Sequence, residues 1–216
     1  TPTIGTIDGG DFVTVAGLEV IPSTINKVSN RVDHNLVLSN DGTVWAFGRN
    51  DYGQLGDGTT TQRSTPVQVS GLTDIIQVAA GDRYSLALKS DGTVWSWGRN
   101  FYGQLGNGNE GVDSLIPVQV SNITSVSQIS AGDVHNLALQ DDGTLWAWGR
   151  NNKGQVGDGT LDNRDAPVQI SGTGNLIQIS AGGRHSMALK DDGTILAWGL
   201  NSDGQLGNDV FTDSLS

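Results

Sequence analysis

Asp91-Gly-Thr-Val-Trp-Ser-Trp-Gly-Arg-Asn-Phe-Tyr-Gly-Gln-Leu-Gly106 recurs, in close variants, at Asp41–Gly56, Asp142–Gly157 and Asp192–Gly207. The glycine of the Asp-Gly pair falls at Gly42, Gly92, Gly143 and Gly193, in steps of 50, 51 and 50 residues. A fixed period of tens of residues marks a repeat architecture. Everything else in the chain is read outward from this stretch.

Asp-Gly between two apolar runs is a strong hairpin signal, and it predicts a type I′ turn with φ > 0 at both central positions. The strand after the turn is Thr93-Val-Trp-Ser-Trp97 and its counterparts. The strand before it is Tyr84-Ser-Leu-Ala-Leu88, His135-Asn-Leu-Ala-Leu139 or His185-Ser-Met-Ala-Leu189. Earlier still lie Ile75-Ile-Gln-Val-Ala-Ala-Gly81, Val126-Ser-Gln-Ile-Ser-Ala-Gly132 and Ile177-Gln-Ile-Ser-Ala-Gly182, whose small last residues suggest strands converging on an axis. The first copy is degenerate there, with Asn30-Arg31 in place of Ala-Gly.

A fourth run opens on Pro66, Pro117 or Pro167, and in the first copy reads Phe12-Val-Thr-Val15. Proline is tolerated at the first residue of a strand or on an edge strand, so these runs are placed as edge strands. Each repeat therefore supplies four short strands and no helix signal. Trp95 and Trp97 point to one face and Val94 to the other, as in a small sheet packed on both sides. The expected fold is all-β: a β-propeller of four-stranded antiparallel blades, preferred over a solenoid. The repeats divide at about 11–64, 65–115, 116–165 and 166–216, with residues 1–10 as an arm or linker.

Composition narrows the function. The 31 Gly sit at fixed offsets, as turn residues do, and no stretch of about 20 apolar residues is present to span a membrane. A net charge of −11 argues against direct binding to a nucleic-acid backbone. With no Cys there is no disulfide, thiolate or Cys-ligated metal. Few Lys and many Ser, Thr and Asn favour a secreted, cell-surface or virion component over a cytoplasmic one. The chain opens on Thr1, not Met, and is expected to be a processed product or a piece of a longer one.

The combination Ala-Gly-x-x-His-Ser-x-Ala-Leu, Asp-Gly-Thr-x-Trp-x-Trp-Gly and Asn-x-x-Gly-Gln-Leu-Gly resembles the regulator of chromosome condensation repeat family over about residues 11–216. The resemblance implies a propeller whose best-known members have seven blades. It also implies a scaffold for protein–protein contact: nucleotide exchange on a small GTPase, enzyme inhibition or surface binding. Four repeats here leave Phe12, Val13, Thr14 and Val15 as a spare strand. That strand can clasp a four-bladed ring, pair with another chain to complete an open arc, or belong to a longer array.

No enzyme chemistry and no cofactor or metal site is expected. His34, His135 and His185 share one repeat position with Tyr84 and read as hydrogen-bonded to backbone at their own blade turns. The turn aspartates Asp41, Asp91, Asp142 and Asp192 are explained by the hairpin, without the ligand series of a calcium loop. Gln54, Gln104, Gln155 and Gln205 read as ties between a loop and backbone. What varies between copies points to binding, because function resides in loops on a rigid scaffold. The candidates are Val32, Asp33, Asp82, Arg83, Asp133, Val134, Gly183 and Arg184, with the adjacent Tyr84, His135 and His185. A second variable stretch follows at 57–64, 107–115, 158–165 and 208–216. The expected function is a non-enzymatic interaction or assembly module with a protein partner, another copy of itself included. The alternative is a regulator resembling exchange factors or enzyme inhibitors.

Overall fold

The computed structural model describes residues 24–216; the arm and the Phe12–Val15 strand lie outside the described residues. Fifteen strands fall into four antiparallel sheets, and the described residues contain no helix. Blade one is β1 (Ile25–Arg31), β2 (His34–Ser39), β3 (Val44–Gly48) and β4 (Arg63–Gln68), hydrogen-bonded in that order. Blade two is β5 (Ile75–Ala80), β6 (Tyr84–Lys89), β7 (Val94–Gly98) and β8 (Ser114–Gln119). Blade three is β9 (Val126–Ala131), β10 (His135–Gln140), β11 (Leu145–Gly149) and β12 (Arg164–Ile170). Blade four holds β13 (Leu176–Ala181), β14 (His185–Lys190) and β15 (Ile195–Gly199). Its outer edge carries only a bridge from Gly199 to Ser214, at the register where Gly98 meets Ser114 in blade two.

The Pro-bearing strand is thus the outer strand of the blade before it, and each of the first three sheets takes that strand from the next sequence repeat. The hairpin differs from the predicted turn. Gly42, Gly92, Gly143 and Gly193 have φ between +78° and +86°, but the Asp before each has negative φ. In blade one Gly42 N donates to Ser39 O and Ser39 N to Thr43 O, so three residues, not two, bridge the strands. That is a type I turn closed by a left-handed glycine. The aspartate acts on the residue beyond the glycine. Asp41 Oδ1 accepts from Thr43 N and Oγ1, which fixes the approach to β3.

The core lies between blades, in three equivalent joints. In the first, Leu36, Leu38, Val44 and Leu55 of blade one meet Ile75, Val78, Ala87 and Trp97 of blade two. In the second, Leu86, Leu88, Val94 and Leu105 meet Val126, Ile129, Ala138 and Trp148. In the third, Leu137, Leu139, Leu145 and Val156 meet Leu176, Ile179, Ala188 and Trp198. Each blade thus has a trailing face and a leading face of different composition, as the Val94/Trp97 alternation requires. Burying each such side chain stabilises by about 1.5–3 kcal/mol.

A polar network repeats inside every joint. Trp97 Nε1 and Ser85 Oγ of blade two both donate to the Gln54 carbonyl of blade one, at 2.9 Å. Trp148 Nε1 and Asn136 Nδ2 do the same to Gln104 O, and Trp198 Nε1 and Ser186 Oγ to Gln155 O. Inner strands are tied as well: Gln77 Oε1 accepts from Ile129 N, and Gln128 Oε1 from Ile179 N. All substantial packing between strands is within a blade or between consecutive blades, so the described residues form an open arc.

A candidate protein-binding face

The β1–β2 type turns and the loops after the third strands emerge on one face. They are held together by backbone bonds: Arg49 N to Asp33 O, Arg99 N to Arg83 O, Arg150 N to Val134 O and Leu200 N to Arg184 O. The turns also join one another along the arc, Asp82 N donating to Asp133 O and Asp133 N to Gly183 O. The variable pairs therefore do lie together at the hub. Arg31, the residue that replaces glycine in the degenerate first copy, reaches from blade one to Asp133 of blade three at 2.8 Å. Both partners are part-exposed, so the pair is worth under about 1 kcal/mol, and it positions more than it stabilises.

The loops after the third strand contribute what the sequence did not single out. Arg99 stacks on Tyr52 and Phe101, its guanidinium carbon 4.9 Å and 5.5 Å from their centroids. Arg83 lies 5.4 Å from the same Tyr52 ring and donates to its hydroxyl, and Arg150 lies 4.5 Å from Tyr102. The Phe101 and Tyr102 rings meet edge to face. Arg49, Arg83 and Arg31 are matched by Asp33, Asp51, Asp82 and Asp133. Among the described residues, Arg99, Arg150 and Arg184 have no carboxylate within ion-pair distance. The signal was present in the repeat, as Gly-Arg-Asn-x-Tyr in copies one and two, Gly-Arg-Asn-Asn-Lys in copy three and Gly-Leu-Asn-Ser-Asp in copy four.

The candidate residues separate by burial. Val32, Asp33 and Arg184 are exposed; Asp82, Arg83, Asp133 and Gly183 are half-buried on the same face. Tyr84, Val134 and His135 are buried and cannot form part of an exposed surface. The Tyr84 hydroxyl reaches into blade three, with Gly132 O, His135 O and Asn136 Oδ1 around it. The histidine rings do not bond backbone at their own turns, contrary to the expectation from sequence. His34 Nε2 pairs with Ser85 Oγ and His135 Nε2 with Ser186 Oγ, each across the joint to the next blade. Burial pushes His34 down to about 4 and His135 to about 3, so both are neutral around neutral pH. His185, on the last blade described, is half-exposed.

The glutamines also divide their work differently from expectation. The side-chain oxygen of Gln54 accepts from Tyr52 N within its own loop, while its backbone carbonyl makes the contact between blades. Asn50, Asn100, Asn151 and Asn201 organise the loop. Each is buried, its Oδ1 accepting from the backbone five residues on and its Nδ2 gathering acceptors from the next turn. The second variable stretch is tied down from within: Arg63 pairs with the nearly buried Asp57 and Arg164 with Asp158. Among the described residues no group of His, Asp and Glu could hold a metal, and no helix is long and apolar enough to cross a membrane.

A family model, the RCC1-like domain, matches residues 12–215. The chain belongs to this family. This RCC1-like chain is 35% identical over 146 residues to the ultraviolet-B receptor UVR8 of Arabidopsis thaliana, covering 66% of the chain and 33% of the receptor. It is 34% identical over 132 residues to the human regulator of chromosome condensation, covering 59% and 31%. The crystal structure of Prp20p from Saccharomyces cerevisiae, studied for its binding to Gsp1p and histones, superposes with a TM-score of 0.81 at 25% identity. That match covers 90% of this chain and 50% of Prp20p. The chain thus spans a third or less of the curated relatives it matches and about half of the solved structure.

Proposed function

We propose that this RCC1-like chain is a protein-binding module whose partner docks on the hub face, and that it takes an acidic segment there. The observation that carries the reading is that Arg99, Arg150 and Arg184 on this face have no carboxylate partner among the described residues, and that Arg99 and Arg150 are stacked on Tyr52, Phe101 and Tyr102. Arginine and tyrosine are the residues that dominate protein–protein binding energy, and stacking holds the guanidinium in place before a partner arrives. The net charge of −11 opposes an acidic ligand at long range. Screening over about 8 Å at physiological ionic strength removes most of that field, and the local arginines decide. The comparison with Prp20p, a protein studied with protein partners, supports the general class.

The test is fluorescence anisotropy with a labelled peptide carrying alternating Glu and aromatic residues, against its Gln counterpart. The Glu peptide is expected to bind more tightly than the Gln peptide at physiological ionic strength, and Arg99→Glu, Arg150→Glu and Arg184→Glu together are expected to abolish the difference. Equal binding of both peptides, or retention by the triple variant, sinks the reading.

A further inference from the structure

Both ends of the arc are half-joints. The trailing face of blade four carries Met187, Leu189, Ile195 and Ala197, the counterparts of Leu86, Leu88, Val94 and Ser96 in the buried second joint. Ile195 is 60% exposed, whereas Val44, Val94 and Leu145 at the same position are 0%. The leading face of blade one carries Ile25, Val28, Val37 and Phe47, the counterparts of Ile75, Val78, Ala87 and Trp97. Val28 is 73% exposed against 7% for Val78. None of these residues is charged, in a chain that holds 35 charged side chains.

The polar groups of the joint are also laid out, one half at each end. Blade four offers the Gln205 carbonyl, His185 and the inner-strand side chains Gln178 and Ser180, in the places of Gln104, His135, Gln128 and Ser130. Blade one offers Asn35, whose counterpart Asn136 donates to Gln104 O. It also offers the N–H groups of Val28 and Asn30, whose counterparts Ile179 and Ala181 are bonded to Gln128 and Ser130. Gly207 supplies a seat. In the inner joints a Cβ on Gly56, Gly106 or Gly157 would meet the indole of Trp97, Trp148 or Trp198 at 2.5–2.8 Å; at Gly207 it would meet nothing within 4 Å.

We infer that the occupant of each end is a second copy of this chain, joined head to tail, with Phe47 of one copy seated on Gly207 of the other. Two different patches that match each other make a contact that closes only if the rotation returns to its start. Two arcs of four blades make eight, within the four to eight blades that propellers hold, so two copies joined at both ends close one ring.

The experiment is light scattering and sedimentation equilibrium on the full chain and on two variants, Val28→Asp and Ile195→Asp. The wild type is expected at twice the chain mass. Each variant alone puts an unpaired carboxylate into both joints of the ring and is expected to dissociate it, weakening association at least about a hundredfold. Mixing the two variants leaves one joint free of either substitution and is expected to restore a species of two chains. Phe47→Trp adds the indole donor that the other joints possess and is expected to tighten association about fivefold. A wild type that stays monomeric across the micromolar range overturns the inference. So does either variant remaining associated on its own, as like-to-like docking of one face would require, or a mixture that fails to recombine. Recovery in the mixture also shows that both variants are folded.

Discussion

At the joint between blades two and three, Gln104 O receives two hydrogen bonds, from Trp148 Nε1 and Asn136 Nδ2. The carbonyl therefore keeps a partner if the indole N–H is lost. Trp148→Phe is expected to cost about 1 kcal/mol, the net value of one hydrogen bond, whereas Trp148→Ala opens a cavity and costs about 3–5 kcal/mol. Denaturant unfolding of the two variants separates the terms, and equal losses would show that the hydrogen bond, not packing, dominates. The buried histidines make a pH prediction. His34 and His135 have their protonation held down by burial, to about 4 and about 3, against an unfolded value near 6.5. The unfolded chain takes up protons first as pH falls, so the stabilisation from the neutral rings is complete above about pH 6.5 and is lost progressively down to the folded values. The two together are expected to lower stability by about 3 kcal/mol between about pH 7 and pH 5. Replacing His135 and Ser186 by the Tyr–Asn pair found one joint earlier, as His135→Tyr with Ser186→Asn, should remove about half of that slope. An unchanged slope in the double variant would assign the acid sensitivity to other groups.

At the scale of the hairpin, the same glycine meets different surroundings in different blades. Gly92 has φ +79°, and a Cβ there would lie 2.9 Å from the Ser125 backbone of the next blade. Gly193 has φ +86° with nothing within 4 Å. Gly193→Ala is expected to cost only the left-handed penalty of about 1–2 kcal/mol, and Gly92→Ala about 2–5 kcal/mol because backbone must also shift. Thermal unfolding of both variants checks this, and equal costs would mean that the neighbouring blade yields freely. These contacts also explain what could be read in the sequence. Strand order and edge placement were legible because Asp-Gly, Trp-x-Trp and Pro each constrain their own strand. The turn type was not, since Asp41 spends its carboxylate on Thr43 and thereby takes part in a three-residue loop. The direction of the His34 and His135 bonds was not legible either, because Ser85 and Ser186 are about fifty residues away and ordinary in their own strands. The exposed hub residues were half legible: the variable pairs marked the face, while Arg99 and Arg150 were hidden by their regularity.

For the whole molecule, blades that touch only their neighbours make stability a sum of blade and joint contributions. Blades two and three each have two joints; within one copy blades one and four have one each, and blade four has three strands and a single outer bridge. Local opening should therefore begin at the ends, with the free energy of opening rising toward the middle. Amide exchange is expected to be slowest in β6, β7 and β10 and fastest in β13–β15, at concentrations low enough to keep single copies. Raising the protein concentration then distinguishes the two states of the ends. If copies join head to tail, protection of β1 and β14 climbs with concentration by the linkage of binding to opening, while the middle strands, already buried, change little. Protection at β13–β15 that equals that of β6 in the dilute chain would overturn the additive picture. It would mean that blade four draws its stability from within, and that an exposed Ile195 face costs the fold nothing.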